Sequence, residues 1–260
     1  MRSPIHRRDL LRLGAGLLAG AALSSAVPLA GEARRDQKGR LSSRPHPPAP
    51  GQPPTGLVPL QLDGSDRDGA LYVPTSYRHD TPVPLILSLH GAGGSGRRGL
   101  RRLQAHADAT GFLVLVPDAR EATWDVVRAG VFGPDVAFLD RALDLVYNRY
   151  NVDPARIVAE GFSDGASYAL CIGLVNGDLF SRVIAFSPGF VTEGSRRGKP
   201  RVYVSHGVAD RVLPIDLCSR RIVKNLRGDE YDVRYTEFEG GHEIPPEIAR
   251  EAVAWMAARG

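Results

Sequence analysis

The strand-like run Arg156-Ile-Val-Ala-Glu160 meets the apolar helical stretch Ala166 to Val175 across five residues only, Gly161-Phe162-Ser163-Asp164-Gly165. A backbone that turns from strand to helix so quickly is strained at its middle residue. Glycines two before and two after Ser163 remove the side chains that would clash there. The turn lifts the Ser163 hydroxyl clear of the main chain and sets it at the positive end of a helix. The local pattern therefore demands a strand followed at once by a helix.

The rest of the sequence repeats that unit. Buried strands are expected at Pro84 to His90, Phe112 to Asp118, Arg156 to Gly161, Arg182 to Ser187, Arg201 to Gly207 and Val233 to Phe238. More exposed strands are expected near Val58 to Leu62 and Ala70 to Val73. Val136, Leu139, Leu143 and Val146 make one apolar helical stripe, and Ile215 to Leu226 and Ile248 to Ala258 suggest two further helices. Strands alternating with helices predict an α/β fold with a mostly parallel, twisted sheet of about eight strands flanked by helices. Residues 57–260 suit a single domain of that kind.

A serine hydroxyl is a weak nucleophile at its own pKa, so it needs a base within hydrogen-bond reach and a third group that fixes the base's tautomer. Of the seven histidines, His242 follows a strand and two glycines, at the sheet end where open parallel sheets place their chemistry. It is the expected general base. His90 and His206 also end strands and are read as structural. Asp210, three residues past the strand end at Gly207, falls between the serine and the histidine in chain order and is the expected orienting acid. Attack on an ester carbonyl also creates an oxyanion that needs donors already in place. The backbone N–H groups of Ala92, in the glycine-rich loop after His90, and of Asp164 would serve. Gly91-Ala-Gly-Gly-Ser-Gly96 fits G-x-G-x-x-G by letter, but the loop has no Gly-Lys-Ser/Thr, so phosphate cradling is the disfavoured reading. His90 and Gly91 are candidates for substrate contact. Trp124, Phe132 and Phe190, on strand-end loops, are candidates for an acyl pocket, with core packing an equal reading for each. Arg97, Arg98, Arg101 and Arg102 form a basic cluster, read as a solvated helix face rather than an anion-binding rim.

The order Ser163, Asp210, His242, with the His90-Gly91 loop upstream, resembles the α/β-hydrolase fold. The stretch from Asp135-Val-Ala-Phe138-Leu139 through Asn151-Val-Asp-Pro154-Ala-Arg156 to the serine turn is similar to the polyhydroxybutyrate depolymerase and feruloyl esterase-like branch. Gly161-Phe-Ser and Ser205-His-Gly207 also resemble the carboxylesterase/phospholipase branch. The resemblance spans about residues 57 to 260 and implies a secreted serine esterase that hydrolyses carboxylic esters through a Ser163-His242-Asp210 triad and an acyl-enzyme, with no metal or other cofactor. The alternatives are a polyhydroxyalkanoate-oligomer depolymerase, a feruloyl esterase, a peptidase, or a non-catalytic protein that kept the fold. The resemblance covers no polymer-binding domain of the kind many depolymerases of solid polyester carry, so a soluble rather than a solid polyester is expected. Only about a dozen residues separate Ser187 from Arg201, where lipases of this fold often insert a helical lid, so a minimal lid and an open cleft are expected.

Residues 1–30 join a basic start containing Arg7-Arg8 to the mildly apolar run Leu13 to Ala30 and resemble a twin-arginine export signal. That implies the twin-arginine machinery as a partner, export to the periplasm or beyond, and no stable membrane insertion after processing. Residues 31–56 hold six prolines among small and charged residues and are expected to be a disordered linker. The whole chain is +4, but residues 57–260 carry 24 basic and 26 acidic groups, so the basic pI belongs to the front end. The domain therefore has no nucleic-acid footprint, and a small-molecule or oligomeric ester is the expected partner. The two cysteines, Cys171 and Cys218, allow one disulfide or two buried thiols. No Cys/His spacing suits a metal.

Overall fold

In the computed structural model, residues 39–64, 67–192 and 194–258 are described; the export signal expected at residues 1–30 and residues 31–38 lie outside them. Strands β1 (Gly56–Pro59), β2 (Gly69–Val73), β3 (Val83–Leu89), β4 (Leu113–Pro117), β5 (Val152–Phe162), β6 (Arg182–Phe186), β7 (Arg201–Gly207) and β8 (Val233–Phe238) form one sheet. Their order is β1-β2-β4-β3-β5-β6-β7-β8. Strands β1 and β2 join antiparallel at one edge, and every pairing from β4 to β8 is parallel. All eight strands match the sequence expectation to within a few residues.

Period-two alternation divides the strand side chains between two cores. Leu85, Leu87 and Leu89 of β3, Ile157 and Ala159 of β5, and Val183 and Ala185 of β6 face one side. Ile86, Val158 and Ile184 face the other. Parallel strands buried on both faces must read as continuous apolar runs, which is why these strands were visible in the sequence. The first core is covered by α2 (Asp125–Ala129), α3 (Pro134–Arg149), α4 (Asp164–Val175) and α5 (Ser219–Gly228). The second is covered by α1 (Gly96–Thr110), through Leu100, Leu103 and Ala107, and by α6 (Pro246–Ala257), through Ile248, Ala252 and Val253. Of the expected α3 stripe, Leu139, Leu143 and Val146 are buried and Val136 packs on their margin. Helix α4 is enclosed along its whole length after Asp164, consistent with its almost unbroken apolar sequence. Residues 188–200 contain no helix among the described residues, as the short spacing predicted.

Two expectations need correction or refinement. Residues 39–56 are not a free linker: they lie extended along the surface and are bonded to the domain. Leu41 is 2% exposed and joins the first core. Its N–H donates to Asn176 Oδ1 at 2.9 Å, and Asn176 Nδ2 donates to Gly39 O at 2.8 Å. The N–H groups of Ser42 and Ser43 both donate to Asp140 Oδ1 at 2.8 Å, and Arg40 forks onto the Asp178 carboxylate at 2.8 Å. Hydrogen bonding to Arg40 holds the Asp178 carboxyl well below the usual range. Further along, Tyr150 Oη donates to Pro54 O at 2.9 Å. Proline removes backbone donors and so forbids helix and central strand, but it does not prevent docking through side chains of the domain. Cys171 and Cys218 are both buried free thiols, which decides between the two readings of the cysteines. Among the described residues no helix is long and apolar enough to cross a membrane.

Docking of the proline-rich segment makes a measurable demand on stability. Leu41→Ala is expected to destabilise the protein by about 2–4 kcal/mol, as for other buried leucines. Urea unfolding checks this; an unchanged midpoint would mean that residues 39–56 add nothing to the folded domain.

Candidate active site

Ser163 follows β5 and precedes the first turn of α4, with φ 57° and ψ −120°, a conformation that costs a non-glycine residue energy. The flanking glycines are required by contact. A Cβ on Gly161 would lie 2.2 Å from Gly165 O, and one on Gly165 would lie 2.1 Å from Leu89 O at the end of β3. Ser163 N–H donates to Phe186 O at 2.9 Å, and Thr123 Oγ1 donates to Asp164 Oδ2 at 2.6 Å. These bonds pin the turn from both sides.

His242 lies on the loop after β8, and Asp210 on the loop after β7. The two loops are drawn together at Gly207, where a Cβ would sit 2.3 Å from Gly241 O. Ala209 N–H donates to Gly240 O at 2.9 Å. The result brings three distant residues into one line. His242 Nε2 is 2.8 Å from Ser163 Oγ, and His242 Nδ1 is 2.7 Å from Asp210 Oδ2. Asp210 Oδ1 accepts from Val212 N–H and Leu213 N–H, both at 2.8 Å. Burial pushes the Asp210 carboxyl up, but these backbone donors and His242 outweigh it and hold its pKa below the ordinary value. An ionised acid beside Nδ1 keeps the proton on that nitrogen and leaves Nε2 free to accept the serine proton.

His206 does more than the structural reading allowed. It is fully buried, its Nε2 lies 2.8 Å from Leu213 O and 3.1 Å from Asp210 Oδ2, and its Nδ1 is 2.6 Å from Ser219 Oγ. The carbonyl requires a proton on Nε2, so Nδ1 accepts from Ser219, and burial depresses the pKa and keeps the ring neutral. It packs directly behind Asp210 as a further donor. His90 is structural as expected: Nδ1 donates to Gly91 O at 2.8 Å and Nε2 accepts from Ala119 N–H at 3.0 Å.

A cavity of about 290 Å³ opens over Ser163 and His242. His90, Gly91, Ala92 and Gly94 form one wall, Leu89, Phe162 and Val212 supply apolar surface, and Arg98, Gly99 and Arg102 reach it from α1. The Phe162 ring lies 4.8 Å from that of His242. In the glycine-rich loop, Gly93 N–H is taken by Ala122 O and Gly94 N–H by Gly91 O. Asp164 N–H, as the first of α4, has no acceptor within its own helix. Of the two expected oxyanion donors, Ala92 lines the cavity together with Ser163, and Asp164 follows Ser163 directly at the start of α4.

None of the three aromatic candidates borders this cavity. Trp124 is fully buried, donates its indole N–H to His90 O at 2.8 Å and stacks on Tyr168 at 4.9 Å. Phe132 packs edge-on to Tyr168 and against Gly39, and Phe190 lines a separate surface groove with Arg196 and Lys224. A position on a strand-end loop does not say whether the ring points to the mouth or to the core. Conversely, the cavity is lined by Leu89, Phe162 and Val212, which sequence reasoning did not single out, and by Arg98, which it read as part of a solvated face; Leu89 and Phe162 adjoin His90 and Ser163 in sequence, which is the available signal.

The sequence profile of the Esterase family matches residues 62–202, more than half of the chain and inclusive of Ser163. The chain belongs to the Esterase family. It is 29% identical over 229 residues to a probable feruloyl esterase C of Aspergillus oryzae, covering 74% of this chain and 83% of that one. It is 30% identical over 165 residues to feruloyl esterase C of Emericella nidulans, covering 60% and 58% respectively. The structure of esterase PE8 superposes with a TM-score of 0.60 at 24% identity, over 78% of this chain and 98% of that one. The esterase thus has the α/β-hydrolase fold and is a carboxylic ester hydrolase.

The loop that carries Trp124 beneath the site is held by two buried carboxylates. Asp125 Oδ2 accepts from Gly133 N–H and Asp135 N–H, while Asp135 accepts from Arg120 N–H and Asp125 N–H. Burial first, and then the Asp135 charge, raise the Asp125 pKa above its ordinary value. Its contribution to stability is then complete below about pH 4 and is lost as pH rises through the raised value. Asp125→Asn carries no such loss, so the stability difference, variant minus wild type, is expected to grow in the variant's favour from about pH 4 to pH 7. Urea midpoints at the two ends of that range check it, and a difference that shrinks with rising pH refutes it.

Proposed function

We propose that the esterase works through Ser163, His242 and Asp210. His242 Nε2 takes the hydroxyl proton as Ser163 Oγ attacks the ester carbonyl, and the backbone N–H groups of Ala92 and Asp164 receive the oxyanion. Collapse of the tetrahedral intermediate expels the alcohol, protonated by His242, and leaves an acyl-enzyme. Water, deprotonated by the same imidazole, then releases the acid. Asp210 holds the Nδ1 proton and balances the imidazolium. The observation that carries this reading is the continuous chain of two hydrogen bonds, 2.8 Å and 2.7 Å, from the hydroxyl to the carboxylate.

Hydroxycinnamate esters such as feruloyl esters are the proposed acyl class, on the strength of the fungal relatives and of an apolar wall formed by Leu89, Phe162 and Val212. The chain is proposed to be exported by the twin-arginine route, from Arg7-Arg8 and the apolar run after them. Export would leave the domain, with residues 39–56 docked on it, as the working unit.

A fluorophosphonate probe is expected to label the wild type and not Ser163→Ala. Ser163→Ala and His242→Ala are each expected to lower kcat by about 10⁴-fold or more on 4-nitrophenyl acetate and methyl ferulate. Labelling that survives Ser163→Ala would assign the nucleophile elsewhere. Because residues 188–200 contain no helix among the described residues, rates on soluble esters should rise smoothly through the substrate's micelle concentration; an abrupt jump there contradicts an open site.

A further inference from the structure

Helix α1 violates two rules of helix electrostatics at its start. Arg97, Arg98, Arg101 and Arg102 place four cations in the first two turns, at the positive end of the helix dipole, with no acidic residue in the first turn. They also form two like-charge i,i+4 pairs, 97 with 101 and 98 with 102. Local rules of this kind are broken mainly where a function uses the result.

The four are not equivalent. Arg102 is neutralised by Glu160, whose side chain is 1% exposed. Among the described residues, Arg97, Arg98 and Arg101 have no carboxylate partner. Arg98 alone of these three reaches the wall of the cavity that holds Ser163 and His242. On its other side it borders a shallow depression that it shares with Arg97 and Arg101. Among the described residues no carboxylate lines the cavity to neutralise it. The opening above the serine therefore has an apolar wall at Phe162 and Val212 and an uncompensated guanidinium at its rim, with a cationic strip running outward.

We infer that the cavity selects esters bearing a carboxylate a few bonds from the ester carbonyl, and that Arg98 is the specificity-determining residue that binds it. The inference rests on the Ser163 reading above and deepens it. A guanidinium fork matches a carboxylate in shape as well as charge. Arg97 and Arg101 extend the field that draws such a substrate in, over a range of about 8 Å at physiological salt. The cavity's small volume keeps the distance short: an anion many bonds away would lie beyond the rim.

The test compares matched pairs that differ in one charge. In the first, 4-nitrophenyl hemiglutarate is set against its methyl ester, with the anion on the acyl half. In the second, 4-acetoxybenzoate is set against its methyl ester, with the anion on the alcohol half. The quantity followed is the charged-to-neutral ratio of kcat/KM, corrected for spontaneous hydrolysis. In at least one pair that ratio is expected to fall about fivefold in Arg98→Ala, to be largely kept in Arg98→Lys, and to decline in the wild type as salt is raised to about 0.5 M. The pair that responds identifies the half of the ester that carries the anion. A ratio equal in wild type and Arg98→Ala for both pairs overturns the inference, as does a loss shared equally by charged and neutral esters. Failure of the wild type to turn over the neutral esters, together with no fluorophosphonate labelling, would instead remove the Ser163 reading on which it stands.

Discussion

The close contact of main chain with main chain around Gly161 and Gly165 is the constraint on which the site is built. With no Cβ at either position, the start of α4 settles directly on the end of β3, and the intervening turn is forced into the strained conformation of Ser163. The strain is held by the buried α4, enclosed along its length, and by the bond from Ser163 N–H to β6. A loosely packed helix could relax it; this one cannot. The same contact brings the Ala92 loop, which continues β3, beside the serine without any further device.

A second close approach, of Gly207 to the Gly240-Gly241 backbone, does for the acid and the base what the first does for the nucleophile. It forces the loops after β7 and β8 to share one path, so that Asp210 and His242, 32 residues apart, meet at hydrogen-bond distance. Behind them the neutral His206 fills the remaining space next to Asp210 with a donor. The relative placement of acid and base is thus set by main-chain contact.

How much of this was legible follows from the physics of each signal. Continuous apolar runs mark strands buried on both faces, so the eight strands and their alternation with helices could be read. Glycine at fixed offsets marks backbone contact, and the order of Ser163, Asp210 and His242 could be read from the strand ends they follow. Orientation could not. Trp124 and Val212 both lie on loops at the same end of the sheet, yet one is the floor beneath His90 and the other stands at the cavity. Docking of residues 39–56 was hidden for a related reason: it is made by Asp140, Asn176 and Asp178, whose partners lie about a hundred or more residues away in the chain. Arg98 was hidden by rotation, since a sequence shows that a helix face is charged but not that one of its residues turns toward a cavity.

The attachment at Asn176 also fixes where residue 39 sits on the domain. Helix α4 has Ser163 at its first end and Asn176 at its last, about 20 Å away at the helical rise. The point at which residue 39 meets the domain is thus a full helix length removed from the nucleophile.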